Sequence, residues 1–183
     1  EFTNNFIQAF PIAEDKRVHL PVMVCQDGFI TSHGVENILL TEDAAVKKFV
    51  GAYEPEHYLL NPSEKMAIGP YAVSNYYMET KRAQRQAMIN AREVILEVAA
   101  RFEKMTGRKY GFFEEYQMED AEYAVVIIGS AAGTCKAAID EIRSTTGKKV
   151  GLIKIRVFRP FPEEELAKAL SKTKAVAIMD RSE

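Results

Sequence analysis

The sequence predicts an α/β chain that ends in a Rossmann-like unit with a parallel sheet. Its last third alternates short, β-branched apolar runs with amphipathic stretches in the order β-α-β-α-β. That order calls for parallel strands joined by right-handed crossovers. Upstream lies one long helical seam, and before it a proline- and tyrosine-rich stretch without periodicity divides the two ends of the chain.

Taken in order, Phe2, Phe6, Ile7, Phe10 and Ala13 recur at helical spacing and predict a helix over Thr3 to Lys16, kinked at Pro11. Val18 to Cys25 has almost no polar residue at its centre and reads as a fully buried strand. Gln26-Asp27-Gly28-Phe29 then reads as a turn, followed by a helix capped by Ser32 that carries His33, Val35, Glu36, Ile38 and Leu39. A further helix is expected over Thr41 to Val50, with Thr41 as its N-cap. Ala52 to Tyr77 holds Pro55, Pro62 and Pro70 and five tyrosines; it reads as an extended arm lying on a surface, because aromatic rings favour packing over free motion.

Met88, Ala91, Ile95, Val98, Phe102 and Met105 then form an apolar seam on one long helix, stopped by Gly107. From about Glu119 the pattern is regular. Strands are predicted over Tyr123 to Gly129, Val150 to Phe158 and Ala175 to Asp180. Helices are predicted over Ala131 to Ser144, with Ala138, Ile139 and Ile142 on one face, and over Pro162 to Ser171.

Composition narrows the function classes. The 183 residues are 47% hydrophobic with a formal charge of -2, enough for one good core or two small ones. The near-neutral balance argues against nucleic acid as a partner, since phosphate binding is built on clustered positive charge. No apolar run approaches the roughly 18 residues of a membrane helix. Cys25 and Cys135 lack CxxC spacing and predict ordinary small apolar residues in a reducing cytoplasm, with no secretory leader. The chain opens without Met and stops after its last expected strand, which is the expected look of a piece of a longer polypeptide.

Two stretches invite chemistry. Gly129 to Thr134 joins a strand to a helix, where nucleotide phosphates also bind, but it lacks G-x-G-x-x-G spacing and a following Lys-Ser/Thr. The bland reading is a small-residue turn that lets the helix pack closely. Asp27, Ser32 and His33 suggest a hydrolytic triad, yet no strained nucleophile elbow surrounds Ser32. No histidine pair has metal-ligand spacing and no carboxylate couple stands out, so no catalytic or metal-binding residue is assigned. The strand ending in Arg156, Arg159 and Pro160-Phe161-Pro162 is a basic, proline-punctuated edge, read as an interface or as plain surface arginines reaching outward.

Three blocks carry a resemblance. Leu20 to Val24 with Asp27-Gly28-Phe29-Ile30-Thr31-Ser32-His33 and Glu36 resembles the end of the pyrimidine-type thiamine-diphosphate domain of the 2-oxoacid:ferredoxin oxidoreductases. Gly151 to Arg156 through Arg159-Pro160-Phe161, followed by Asp180-Arg181, resembles their transketolase-C-terminal-type domain. Tyr76-Tyr77, Ala87-Met88 and Phe102 to Arg108 resemble the connecting arm and helix. The Asp-Gly-Phe-x-x-Ser-His and Arg-x-x-Arg-Pro-Phe runs favour the pyruvate branch, on its alpha-subunit side.

The resemblance implies domains at 1–51, 52–118 and 119–183, the last truncated. It also implies part of an enzyme that oxidatively decarboxylates a 2-oxoacid to an acyl-coenzyme A and reduces ferredoxin. The complete enzyme would use thiamine diphosphate, Mg2+, iron-sulfur clusters and coenzyme A, none of them expected to bind this chain alone. Partners would be other subunits or domains, in a homo- or hetero-oligomer. Asp27, Ser32, His33 and Glu36 would line the active-site cleft, or be an ordinary turn; Arg156 and Arg159 would face an interface. Two other readings stand beside this one: a non-catalytic α/β assembly module and a small nucleotide-binding protein.

Overall fold

A computed structural model describes residues 1–69 and 71–180. They form two units, each discontinuous in sequence: Glu1–Val24 with Leu40–Gly107, and Cys25–Leu39 with Arg108 onward.

The first unit is helical: α1 (Phe2–Ala13), α2 (Asp43–Val50) and α3 (Ser74–Thr106). Ala91, Val94, Ile95, Val98, Ala99 and Phe102 lie three and four apart and bury one face of α3, close to the expected seam. Gly107 ends the helix in the left-handed region at φ 72°, where only glycine avoids a Cβ penalty. Phe49 of α2 meets Phe102 edge-on at 5.5 Å, and Arg101 donates to the Phe49 carbonyl at 2.9 Å.

On α1 the structure buries a different stripe from the expected one. Asn4, Gln8 and Ile12 are buried, while Phe2, Phe6 and Phe10 stay exposed. Pro11 is accommodated within the last turn. α2 starts one residue later than expected, with Glu42 rather than Thr41 at its cap.

Three expectations fail. Val18 to Cys25 is not a strand: Val18 is buried but Met23 is 86% exposed. A strand needs a neighbour to share its ladder, and no described strand lies beside this run. His19 at φ 43° breaks its extension, and Pro21 has no N–H to donate. The helix expected over Ser32 to Leu39 does not form either, and Val35 is fully exposed. The arm from Ala52 is irregular only as far as α3, which takes in its last residues, and Tyr53, Tyr58, Tyr71, Tyr76 and Tyr77 are exposed rather than packed.

The second unit carries a four-stranded sheet in the order β1-β3-β2-β4, from β1 (Phe113–Tyr116), β2 (Tyr123–Ile128), β3 (Val150–Ile155) and β4 (Ala175–Met179). β2 lies parallel to both β3 and β4, and β1 adds an antiparallel edge. α4 (Ala131–Thr146) and α5 (Glu163–Leu170) make the two crossovers.

Because side chains alternate across a strand, neighbouring residues serve opposite faces. Ile127 and Leu152 pack with Ala132 and Ile139 of α4, whereas Val126 and Ile153 pack with Leu166, Ala169 and Leu170 of α5. On α4 only Ile139 of the expected face is fully buried; Ala138 and Ile142 are exposed, and Ala132 takes their place. β4 is exposed along its whole length, with its outer edge unpaired among the described residues. Strand β1, with two adjacent glutamates, was not expected. It runs against β3 with Phe113 opposite Ile155.

Candidate functional site

The segment Asp27 to His33 folds as a tight local unit. Phe29 adopts φ 65°, and its N–H donates to Ser32 Oγ at 2.9 Å. The His33 N–H returns to the Phe29 carbonyl at 3.0 Å, the two rings stack at 5.2 Å, and Ser32 Oγ lies 2.8 Å from His33 Nδ1. Ser32 thus caps a turn instead of starting a helix. His33 and Glu36 are exposed, and Arg108 donates to the Leu39 carbonyl at 3.0 Å farther along.

Asp27, part-buried, accepts a hydrogen bond from Ser130 Oγ. Ser130 sits between Gly129, at φ 81°, and the first residue of α4, so Asp27 places a carboxylate at that helix's amino end. This is the spot a nucleotide phosphate would take. An anion already seated there repels a second one and disfavours the nucleotide-binding reading. The geometry also departs from a triad: Asp27 bonds to Ser130, while Ser32 and His33 pair with each other.

Sequence reasoning missed Ser130 as a partner. The available signal is its setting: Ser130-Ala131-Ala132-Gly133 has a capping residue without the glutamate or glutamine that completes a capping box.

The basic edge divides in two. Arg156 turns inward: Nε donates to the Gly111 carbonyl at 2.6 Å and the guanidinium lies 5.3 Å from the Tyr110 ring centroid. The expectation that it reaches outward is corrected, because the antiparallel edge absent from the sequence reading brings residues 110–112 beside it. Arg159 is exposed beside exposed Phe158. Asp180 is described and Arg181 lies outside the described residues.

Among the described residues no three His, Cys, Asp or Glu side chains gather as metal ligands. Cys135 is part-buried against α4's core, which pushes its thiol pKa up, away from the reactive thiolate. Among the described residues no helix is long and apolar enough to cross a membrane.

Residues 1–100 match the family model for pyruvate flavodoxin/ferredoxin oxidoreductase, thiamine diphosphate-binding, and residues 121–183 match pyruvate:ferredoxin oxidoreductase core domain II. The chain belongs to the pyruvate flavodoxin/ferredoxin oxidoreductase family. It is 47% identical over 176 residues to pyruvate synthase subunit PorA of Thermotoga maritima, covering 96% of this chain and 45% of that protein. Identity to the PorA subunit of Methanocaldococcus jannaschii is 41%, covering all of this chain and 47% of that one. The alpha subunit of NADH-dependent phenylglyoxylate dehydrogenase from Aromatoleum evansii is 40% identical, covering all of this chain and 45% of its own length. The chain thus spans about half the length of the curated relatives it matches.

The loop 25–39 joins the two matched regions: it lies in the stretch matched by the thiamine-diphosphate-binding model, yet it packs with the unit that contains core domain II.

Proposed function

We propose that this chain is part of a pyruvate:ferredoxin oxidoreductase. In that reading the complete enzyme oxidatively decarboxylates a 2-oxoacid, releases CO2, joins the acyl group to coenzyme A and passes the electrons to ferredoxin. The observation that carries the reading is the 47% identity to a pyruvate synthase subunit along 96% of the chain. The two family-model matches in chain order support it.

The chain's own contribution is shape and contact. Domains at 1–51, 52–118 and 119–183 assign the first to the pyrimidine-type thiamine fold and the last to the transketolase-C-terminal type. The Asp27–His33 loop would form a wall of the active-site cleft, and the exposed Arg159 would meet a neighbouring subunit or domain. Arg156 would support that edge from within.

Residues 1–100 match a thiamine-diphosphate-binding family model, which supports that cofactor. In this reading Mg2+, iron-sulfur clusters and coenzyme A belong to the complete enzyme, with other subunits and ferredoxin as its partners and the cytoplasm as its location.

Which 2-oxoacid is used is a choice between aliphatic and aromatic substrates, since relatives named for pyruvate and for phenylglyoxylate are both about equally similar beyond the first. The pyruvate synthase names outnumber the other and favour pyruvate. The test is to co-express the full-length gene product with its partner subunits anaerobically. Coenzyme A-dependent ferredoxin reduction by pyruvate is the expected result. Activity with phenylglyoxylate alone would overturn the pyruvate assignment, and activity with no 2-oxoacid would overturn the whole reading.

A further inference from the structure

Serine at a helix N-cap ordinarily turns its hydroxyl back onto the free N–H groups of its own first turn. Ser130 makes no such bond; its hydroxyl goes to Asp27, 103 residues away in sequence. Asp27 in turn brings its carboxylate to the positive end of a 16-residue helix, so charge as well as hydrogen bonding holds the pair. Both groups are part-buried, which shields the contact from salt better than an open surface pair.

The rest of the loop follows Asp27 as one piece, because the Phe29–Ser32 and His33–Phe29 hydrogen bonds and the ring stack lock it internally. We propose that Ser130 is a positioning residue whose hydroxyl latches the Asp27–His33 loop and thereby sets the wall that faces the 2-oxoacid. The inference rests on the reading of that loop as a cleft wall and assigns the residue that holds it.

The experiment compares Ser130→Ala, Ser130→Thr and Asp27→Asn in the full-length protein assembled with its partner subunits. Hydrogen exchange is followed in peptides covering residues 25–39, and steady-state kinetics are measured with pyruvate. Ser130→Ala is expected to speed exchange in the loop by about tenfold, as a locally released segment does. It should also raise KM for pyruvate severalfold with kcat within about twofold, the pattern of lost uniform binding. Ser130→Thr keeps the hydroxyl and is expected to restore both readouts, whereas a merely structural serine would not give that split. Asp27→Asn keeps an acceptor oxygen but loses the charge, and is expected to fall between.

Unchanged exchange at 25–39 in Ser130→Ala overturns the latch. Faster exchange with an unaltered KM in an active enzyme overturns the positioning role. Faster exchange in an assembly that oxidises no 2-oxoacid supports the latch and overturns the proposed function instead.

Discussion

Truncating Arg156 removes a 2.6 Å hydrogen bond to the Gly111 carbonyl and a cation-aromatic contact with Tyr110. Arg156→Ala is therefore expected to cost about 1–3 kcal/mol, since a part-buried carbonyl loses a charged donor. Arg159→Ala, at an exposed position, should stay within about 0.5 kcal/mol. Thermal melting of the two variants checks this, and equal melting temperatures would show that the inward contact carries no stability. Gly151 makes a second residue-level case. A Cβ there would lie 2.6 Å from Met118 Sδ and 2.8 Å from the Gln117 carbonyl oxygen. A methionine end can swing aside, but a backbone oxygen cannot without moving the chain. Gly151→Ala is expected to destabilise by about 1–3 kcal/mol, read as a lowered denaturation midpoint. Neither arrangement was visible in the sequence, because each depends on which distant backbone comes to lie beside the residue. Asp27 was singled out from its motif, yet its partner was hidden for the same reason.

At the scale of elements, α3 is held to the turn after α1 by one arginine. Arg17 donates to Asp15 at 2.9 Å and to Glu97 at 2.6 Å, and its own carbonyl accepts from Asn90 at 3.0 Å. The hydrogen bonds from Arg17 are the main reason that the Asp15 and Glu97 carboxyls are held below their usual range. A depressed carboxyl contributes stability above its unfolded value and loses it as pH falls through its folded value. Wild-type melting temperature should thus drop on the acid side, below about pH 4, more steeply than that of Arg17→Ala. The groups are partly open to solvent, so the difference should be small and shrink in high salt. Parallel acid limbs for the two proteins would show that the bridge adds nothing. Legibility at this scale followed periodicity and punctuation. α3, α4 and the three parallel strands announced themselves through spaced apolar residues, and α3 also through Gly107 at its end. Phe113–Tyr116 was too short and too acidic to read as a strand, and Val18 to Cys25 looked like one because an apolar run says nothing about whether a partner strand is present. On α1 two stripes competed, and composition favoured the phenylalanines that the structure leaves exposed.

For the whole molecule, β4 is the point of vulnerability. Among the described residues it pairs with β2 on one side only, and Ile178 is 79% exposed. An apolar strand with an open edge is a template for further pairing. The chain on its own is expected to self-associate as concentration rises, and Ile178→Lys to raise the concentration at which it does so, as followed by sedimentation velocity. Unchanged association in that variant would move the sticky surface elsewhere, for instance to the Phe2, Phe6 and Phe10 face of α1. The interleaving of the two units along the chain has a further consequence during synthesis. Asp27 leaves the ribosome long before Ser130, its partner 103 residues downstream. At roughly 5–20 residues per second, that gap is about 5–20 s during which the loop has nothing to close on. Nascent chains arrested before residue 130 should therefore show residues 25–39 open to protease, and chains arrested well beyond α4 should show them protected.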